Sequence, residues 1–488
     1  MAVTTTLNNK KMAFGVETEA VANTAETIVT GDVFKALEPS ITVNNNMQED
    51  PGARTTRGKH KGIPGGQTCD VSFGAFEKGS GTLGTAPASP IMDAHLAAGF
   101  AQTNYASIRQ QLDLGDTDAS MTCQIYKGRI VGATSKSVIA RGCKVNLTTT
   151  LEPGQAAIDT FEGNGVFSTD ADAVVLAKGG EDTTLEPTLV SAGCMIGEIS
   201  SVSTHASDGT QEEMADAPAS NLKYAVAYTP TRNETVIGYA VKMEKVGTPA
   251  NETNGFTIAM DTDAAGDPAG SLVTNTTVNR ATTIIAAADE WEFFALARGS
   301  RGALVSATPY HILMTQDWDP DGSNTLKLDV EAVAAGSQKT KFYDASWAAL
   351  ALKNISVVLI TMPSGGDDLL LGTSEINMNN EISVTPDDPN DAQGHAAADL
   401  TDADPTWSIS PRDTIDSEVD LGAYITAGTE LFVQMTVGST SGNKIQHTMS
   451  RLTVEKQEPG VLDNKIIRGL TLRLNREKTG AYYTKRYM

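Results

Sequence analysis

Much of what usually announces a reaction is missing from this chain of 488 residues. Its four cysteines, Cys69, Cys123, Cys143 and Cys194, stand far apart. No C-x-x-C pair or Cys/His cluster occurs, which argues against a zinc site. Cys123 and Cys143 are candidates for neighbouring strands, and buried free thiols are the expectation. Histidines number 6 (His60, His95, His205, His311, His395, His447) and follow no metal spacing. There is no G-x-S-x-G, no H-E-x-x-H and no P-loop. No apolar run reaches 18 residues, so no membrane-spanning helix is expected. The first residues lack the charged-then-apolar pattern of a secretory signal, and synthesis and assembly in the cytoplasm are the expectation. Aromatic residues make up only 6%.

Basic residues are also scarce. Lys and Arg total 37 against 60 Asp and Glu, a formal charge of -23. Wrapping nucleic acid needs a basic surface, so ordinary phosphate recognition is disfavoured. The bland reading of the charge is solubility. The balance is uneven: Glu381–Asp420 holds 11 acidic residues and one basic, whereas Arg451–Met488 holds nine basic and four acidic. Such a basic tail suits docking on an acidic neighbour, or an exposed strand guarded against pairing.

What is abundant is Gly, Thr, Ala, Ser and Asp, a composition that favours many short strands joined by turns. The length implies more than one domain. Residues 1–65 read as extended and loop-rich, with Asn44-Asn45-Asn46 as a turn and Arg54–Gly66 as an exposed arm. Cys69, Val71, Phe73 and Ala75 alternate as in a half-buried strand. Ser89 and Pro90 open a short amphipathic helix over Ile91–Ala98, which Gly99 ends. Strands follow at Thr122–Tyr126, Ala140–Thr150 and Ala157–Phe161. A unit spanning 201–364 has candidate strands at Val236–Val246, Phe256–Met260, Thr282–Ala286, Trp291–Ala297, Tyr310–Thr315, Thr325–Val330 and Ile355–Thr361, the spacing of an antiparallel β-sandwich. Beyond residue 365 the first style of sequence returns. A short helical segment is expected near Val419–Ala427, with strands at Leu431–Val437, Lys444–Leu452 and Gly469–Asn475.

Each suggestive motif has a plainer reading. Gly79-Ser80-Gly81-Thr82-Leu83-Gly84 matches G-x-G-x-x-G, but Pro87 and Pro90 intervene before the helix and no βαβ unit follows, so turn glycines are expected. Asp317–Gly322 opens like a calcium loop, yet Leu328 stands where a bidentate Glu belongs. Asp261, Asp263 and Asp267 form a similar acidic turn. His95 reads as a packing or surface histidine. Trp291, Phe293 and Phe294 suit sugar stacking or, more commonly, core packing. No catalytic, cofactor-binding or metal-binding residue is assigned, no cofactor is implied, and a hydrolase hidden in the acidic loops finds no constellation.

In their order, several segments resemble those of long-tailed bacteriophage tail tube proteins. They are Gly15-Val16-Glu17-Thr18, Glu38-Pro39-Ser40-Ile41, Gly79–Thr82, the helix ending at Gly99-Phe100, Tyr126-Lys127-Gly128-Arg129, Gly142–Leu147, Glu152-Pro153-Gly154-Gln155, Phe161-Glu162-Gly163, Ile376–Glu381 and Gly438–Asn443. The resemblance covers roughly 10–200 and 365–480. It implies a mainly β fold: a tail-tube-type β-sandwich or barrel subunit with one short helix, split as 1–200 and 365–488, and interrupted by an inserted antiparallel β-sandwich at 201–364. It further implies a non-enzymatic virion protein forming stacked hexameric rings. DNA would be ejected through an acidic lumen without specific binding. Implied partners are further copies, a tape measure protein, a tail terminator and baseplate or tip proteins. The basic C-terminal segment and the Arg54–Gly66 loop become candidates for ring-to-ring contacts. The insert, loosely similar to carbohydrate-binding surface domains over Ala303–Ile312, is a candidate for host-surface glycans. The alternative is a glycan-binding adhesin or decoration protein.

Overall fold

The structure, a computed structural model, describes residues 13–48, 63–105, 108–115, 117–128, 130–180, 184–200, 209–214, 223–248, 255–316, 324–344, 346–364, 371–386, 391–411, 421–462, 465–478 and 481–488. The chain is mainly β, with antiparallel sheets, one of which curves as a half-barrel. Alternation explains why the strands hold. In Ile63–Phe76, Cys69, Val71, Phe73 and Ala75 are all buried while Asp70 faces solvent, the period of two that a half-buried strand requires.

A hydrogen-bonded path runs through the larger sheet. It starts at Leu37–Gln48 and passes through Ile63–Phe76, Ile158–Val174 and Thr134–Leu151. It continues through Leu371–Asn377, Thr406–Pro411, Lys465–Leu474 and Ile445–Leu462. Tyr483–Tyr487, Arg109–Leu114 and finally Phe100–Tyr105 complete it. Ala13–Thr18 branches off through Met121–Tyr126. Phe14, Phe73, Phe161 and Trp407 are among the largest side chains of one core formed by residues from 14–196 and 376–487. The helix Ser89–Ala97 packs into that core. It carries Pro at its start, and Gly99 after its end adopts φ +90°, the left-handed geometry glycine tolerates.

A second core gathers residues 214–359. One of its walls is Lys223–Tyr228, Phe256–Ala264 and Tyr310–Gln316. The other centres on Glu234–Val246, flanked by Val357–Pro363 and Glu290–Ala295. The chain leaves the first core along Leu189–Ile199 and returns along Val357–Pro363. These strands pair at Glu198↔Thr361 and Ile199↔Ile360. A third, small cluster sits between the two cores: Met195, Ile237, Phe293, Ile360 and Phe432, with Phe293 stacked on Phe432 at 5.0 Å.

Several expectations change. Asn44-Asn45-Asn46 is no turn; it lies in the strand Leu37–Gln48, paired with Gln67 and Thr68. Amide side chains there have partners: Asn44 donates to Asp70 at 2.8 Å. The helix is buried nearly all round rather than amphipathic, because Ala94, Ala97 and Ala98 let neighbours approach on several sides. Thr282–Ile284 is a 3-10 turn, not a strand. The acidic stretch contains a hairpin, Glu381–Val384 with Ala398–Asp402. Leu421–Ala427 is helical. Of the Arg54–Gly66 arm, 63–66 belong to the strand Ile63–Phe76; the rest of it and the Asp317–Gly322 loop lie outside the described residues.

Candidate functional site

The last strand of the basic Arg451–Met488 segment is not an exposed docking tail, although Lys456, Arg473, Arg476 and Lys478 before it are exposed. Tyr483–Tyr487 is buried throughout, wedged between Ile445–Leu462 and Arg109–Leu114. Alternation sends Lys485 to one side and Arg486 to the other, and each ends in a separate ionic network. Nearby cations pair within their own chain: Arg451 and Lys478 both hold Glu430, and Arg473 holds Asp404 at 2.6 Å, with Lys478 and Arg473 at the surface.

Lys485 is fully buried in the first core. Its ammonium contacts Glu77, lies 2.5 Å from Asp159 Oδ2 and donates to His95 Nε2 at 3.0 Å. His95 is oriented by Nδ1 donating to the Ile91 carbonyl at 2.7 Å, so its Nε2 is free to accept. Thr149 donates to Asp159 at 2.6 Å. His447 contacts Glu77 through Nε2 at 3.1 Å and accepts from the Tyr483 hydroxyl at 3.0 Å. Burial alone would pull the Lys485 ammonium down, but Asp159 and Glu77 outweigh it and hold its pKa well above the lysine range. Burial likewise raises Asp159, and Lys485 and His95 reverse that, leaving it below the usual carboxylate range. The composition is that of an acid–base constellation. Its groups are closed to solvent, so its role is to fasten the last strand to Ile63–Phe76, Ile158–Val174 and the helix.

Arg486 belongs to the junction. It donates to Gln111 Oε1 at 2.9 Å and to the Trp291 carbonyl at 2.6 Å. Beside it, Glu292 is fully buried and receives Arg109 at 2.9 Å and Arg280 at 2.8 Å. Burial pushes the Glu292 carboxyl up, but Arg109, Arg280 and Arg486 bring it below its ordinary value. Trp291, Phe293 and Phe294 are all used in packing. Trp291 stacks on Tyr482 at 6.3 Å, Phe293 on Phe432, and Phe294 is tilted against Phe256 at 5.3 Å.

The glycine motif is also occupied. Gly79 N–H donates to Asn443 Oδ1 at 2.8 Å, and Gly81 N–H to the Gly442 carbonyl at 3.0 Å. Two amides that a phosphate would need are therefore spent on the Gly438–Asn443 turn. Asp261 accepts from Gly270 and Ser271 at 2.9 and 2.7 Å, Asp263 contacts His311 at 2.8 Å, and Asp267 holds Lys341 at 2.6 Å. The three carboxylates serve separate partners. Among the described residues no group of three or more His, Cys, Asp or Glu is placed to hold a metal ion. All four cysteines are free and buried, and burial pushes the Cys69 thiol up to about 12.

The features most open to a partner are strand edges. Leu37–Gln48 pairs only with Ile63–Phe76, and Phe100–Tyr105 only with Arg109–Leu114, among the described residues. They are the two ends of the curved path. Ser40–Gln48 and Phe100–Tyr105 contain no charged residue. Edge strands are usually guarded by Lys or Pro, and here only Pro39 stands at one end. The ribbon formed by Ile445–Leu462 and Lys465–Leu474 ends in an opposed pair, Val461 and Ile466, exposed by 72% and 65%. No protein-family model matches this chain, and no curated protein matches it.

Proposed function

We propose that this chain is a structural subunit that assembles side by side into six-membered rings. The rings stack into a bacteriophage tail tube through which DNA passes. The observation that carries this reading is the pair of open, uncharged edges at opposite ends of one curved sheet. An edge at each end makes a head-to-tail contact possible, and a head-to-tail contact closes into a ring when the rotation fits. Closing the sheet between copies removes both edges. The exposed Val461–Ile466 tip gives the ribbon an apolar contact for a neighbouring copy. The net charge of -23 suits a lumen that repels phosphates, so DNA slides without sticking. In this reading the second core faces outward, the tube ends meet tape measure, terminator and baseplate or tip proteins, and the chain resides in the virion.

Negative-stain microscopy with sedimentation of the purified protein tests the proposal. Rings or tubes are expected, and Thr42→Lys combined with Gln102→Lys, one charge on each exposed edge, should return monomers. Strictly monomeric wild-type protein at high concentration would sink it. A second reading has one favouring observation. Tyr343 and Trp347 meet edge to face at 5.3 Å, half-buried, in the terminal hairpin of the outer sheet. Such a pair suits stacking on a sugar. Binding of the full chain on a glycan array, lost in Trp347→Ala, would favour it.

A further inference from the structure

A cavity of about 470 Å³ opens where the two cores meet. Its charge runs against that of the whole chain. Arg109, Arg280, Lys444 and Arg486 line it, against one acidic side chain on the wall, Glu292. Glu290 and Asp113 lie just behind and accept from the neutral Gln111 amide at 3.1 and 2.8 Å, which leaves their charge in place. Four cationic side chains thus face three acidic ones, only one of which reaches the cavity. Arg109 is 3% exposed and spends Nε on Gln111 and Nη1 on Glu292, while its buried Nη2 has no hydrogen-bond partner. An unpaired buried guanidinium N–H is costly unless something accepts from it. Lys444 reaches the same cavity and makes no ion pair with any described carboxylate. Burial first, and then the nearby Arg280 charge, lowers its pKa. Crowding of like charges is relieved by an anion. Ser439 and Ser441 add hydroxyl donors, and Val278 and Ile284 supply an apolar wall.

We infer that this junction cavity binds a small, multiply charged oxyanion of the phosphate-ester class. Arg109 Nη2 is the open donor for its oxygens. Arg280 and Arg486, already bonded to Glu292 and to Gln111, add their charge, and the Val278–Ile284 wall receives an apolar flank. Because Arg109 and Arg486 come from the first core and Arg280 from the second, the bound anion clamps the two together. The inference does not depend on the assembly reading, since it concerns a single chain.

Isothermal titration of the full-length protein with inorganic pyrophosphate, phenyl phosphate and succinate provides the test. Saturable one-to-one binding of the phosphates is expected, weakening as salt rises. Lys444→Gln, which breaks no ion pair seen in the structure, should weaken it by about tenfold, the scale of one charge-assisted hydrogen bond. Ser441→Trp, at the exposed rim, should block entry without touching either core. Circular dichroism would confirm that both variants fold. No saturable binding of either phosphate, or binding indifferent to both substitutions, overturns the site. Tighter binding of succinate overturns the phosphate-ester assignment in favour of carboxylates.

Discussion

Replacing Lys485 with Met offers the sharpest test of the buried network. The substitution keeps the length of the side chain and removes the ammonium between Glu77 and Asp159. Both carboxylates are then left buried, with Thr149 on one and His447 on the other. Breaking a buried ion pair from one side costs about 3–5 kcal/mol. A second route gives a similar figure. The variant can limit its loss by taking up a proton. For a carboxyl with an ordinary pKa near 4, doing so at pH 7 spans about three units at 1.36 kcal/mol each, or about 4 kcal/mol. The sign follows from the variant. Wild-type Asp159, with its folded pKa depressed, loses its contribution only as pH falls below its unfolded value of about 4, so that contribution is constant between pH 7 and pH 5. Proton uptake by the variant's unpaired carboxyl, in contrast, costs less as pH falls. The deficit of Lys485→Met should therefore shrink to about 1–2 kcal/mol at pH 5. Urea denaturation at both pH values measures this. A deficit under about 1 kcal/mol at pH 7, or one unchanged at pH 5, would refute the reasoning.

Three further outcomes are expected. Burial, followed by hydrogen bonding to Asp32 and the charges of Asp32, Asp93 and Glu26, raises Glu17 to about 7. Its contribution to stability is therefore complete below its unfolded pKa and lost as pH rises through 7, so Glu17→Gln should flatten the fall in urea midpoint between pH 5 and pH 8. A Cβ on Gly79 would lie 2.2 Å from the Gly442 carbonyl oxygen; Gly79→Ala should cost about 1–3 kcal/mol in chemical denaturation, because backbone must shift. Phe293→Ala removes the stack on Phe432 and should cost about 3–5 kcal/mol, with faster proteolysis at the junction as the companion readout.

Strand positions were legible where one face is buried and the other wet. Cys69 to Ala75 announces itself in that way, while Leu431–Val437, buried on both faces, shows as a short apolar run ended by a turn. Asn44-Asn45-Asn46 misled because asparagine favours turns locally, whereas here a neighbouring strand supplies the backbone partners. Lys485 was the hardest to read. A basic run near an acidic one suggests a surface, and the partners Glu77, His95 and Asp159 are hundreds of residues away. The only local cue was the set of tyrosines around it, Tyr482, Tyr483 and Tyr487, which are costly to expose together. The junction cavity had no local signal at all, since its cations come from four separate segments. The open edges were written in the sequence as an absence of charge, but which strands end a sheet is a property of the whole topology.

The neighbouring strands that lead into and out of the second core have a consequence for how such a chain can change. Ile199 and Ile360 stand opposite each other, so the intervening chain begins and ends at almost the same place. A tight turn could bridge that gap, just as a longer excursion does. The second core is in this sense a replaceable cartridge. It can be lost, lengthened or exchanged without altering Ser40–Gln48 or Phe100–Tyr105.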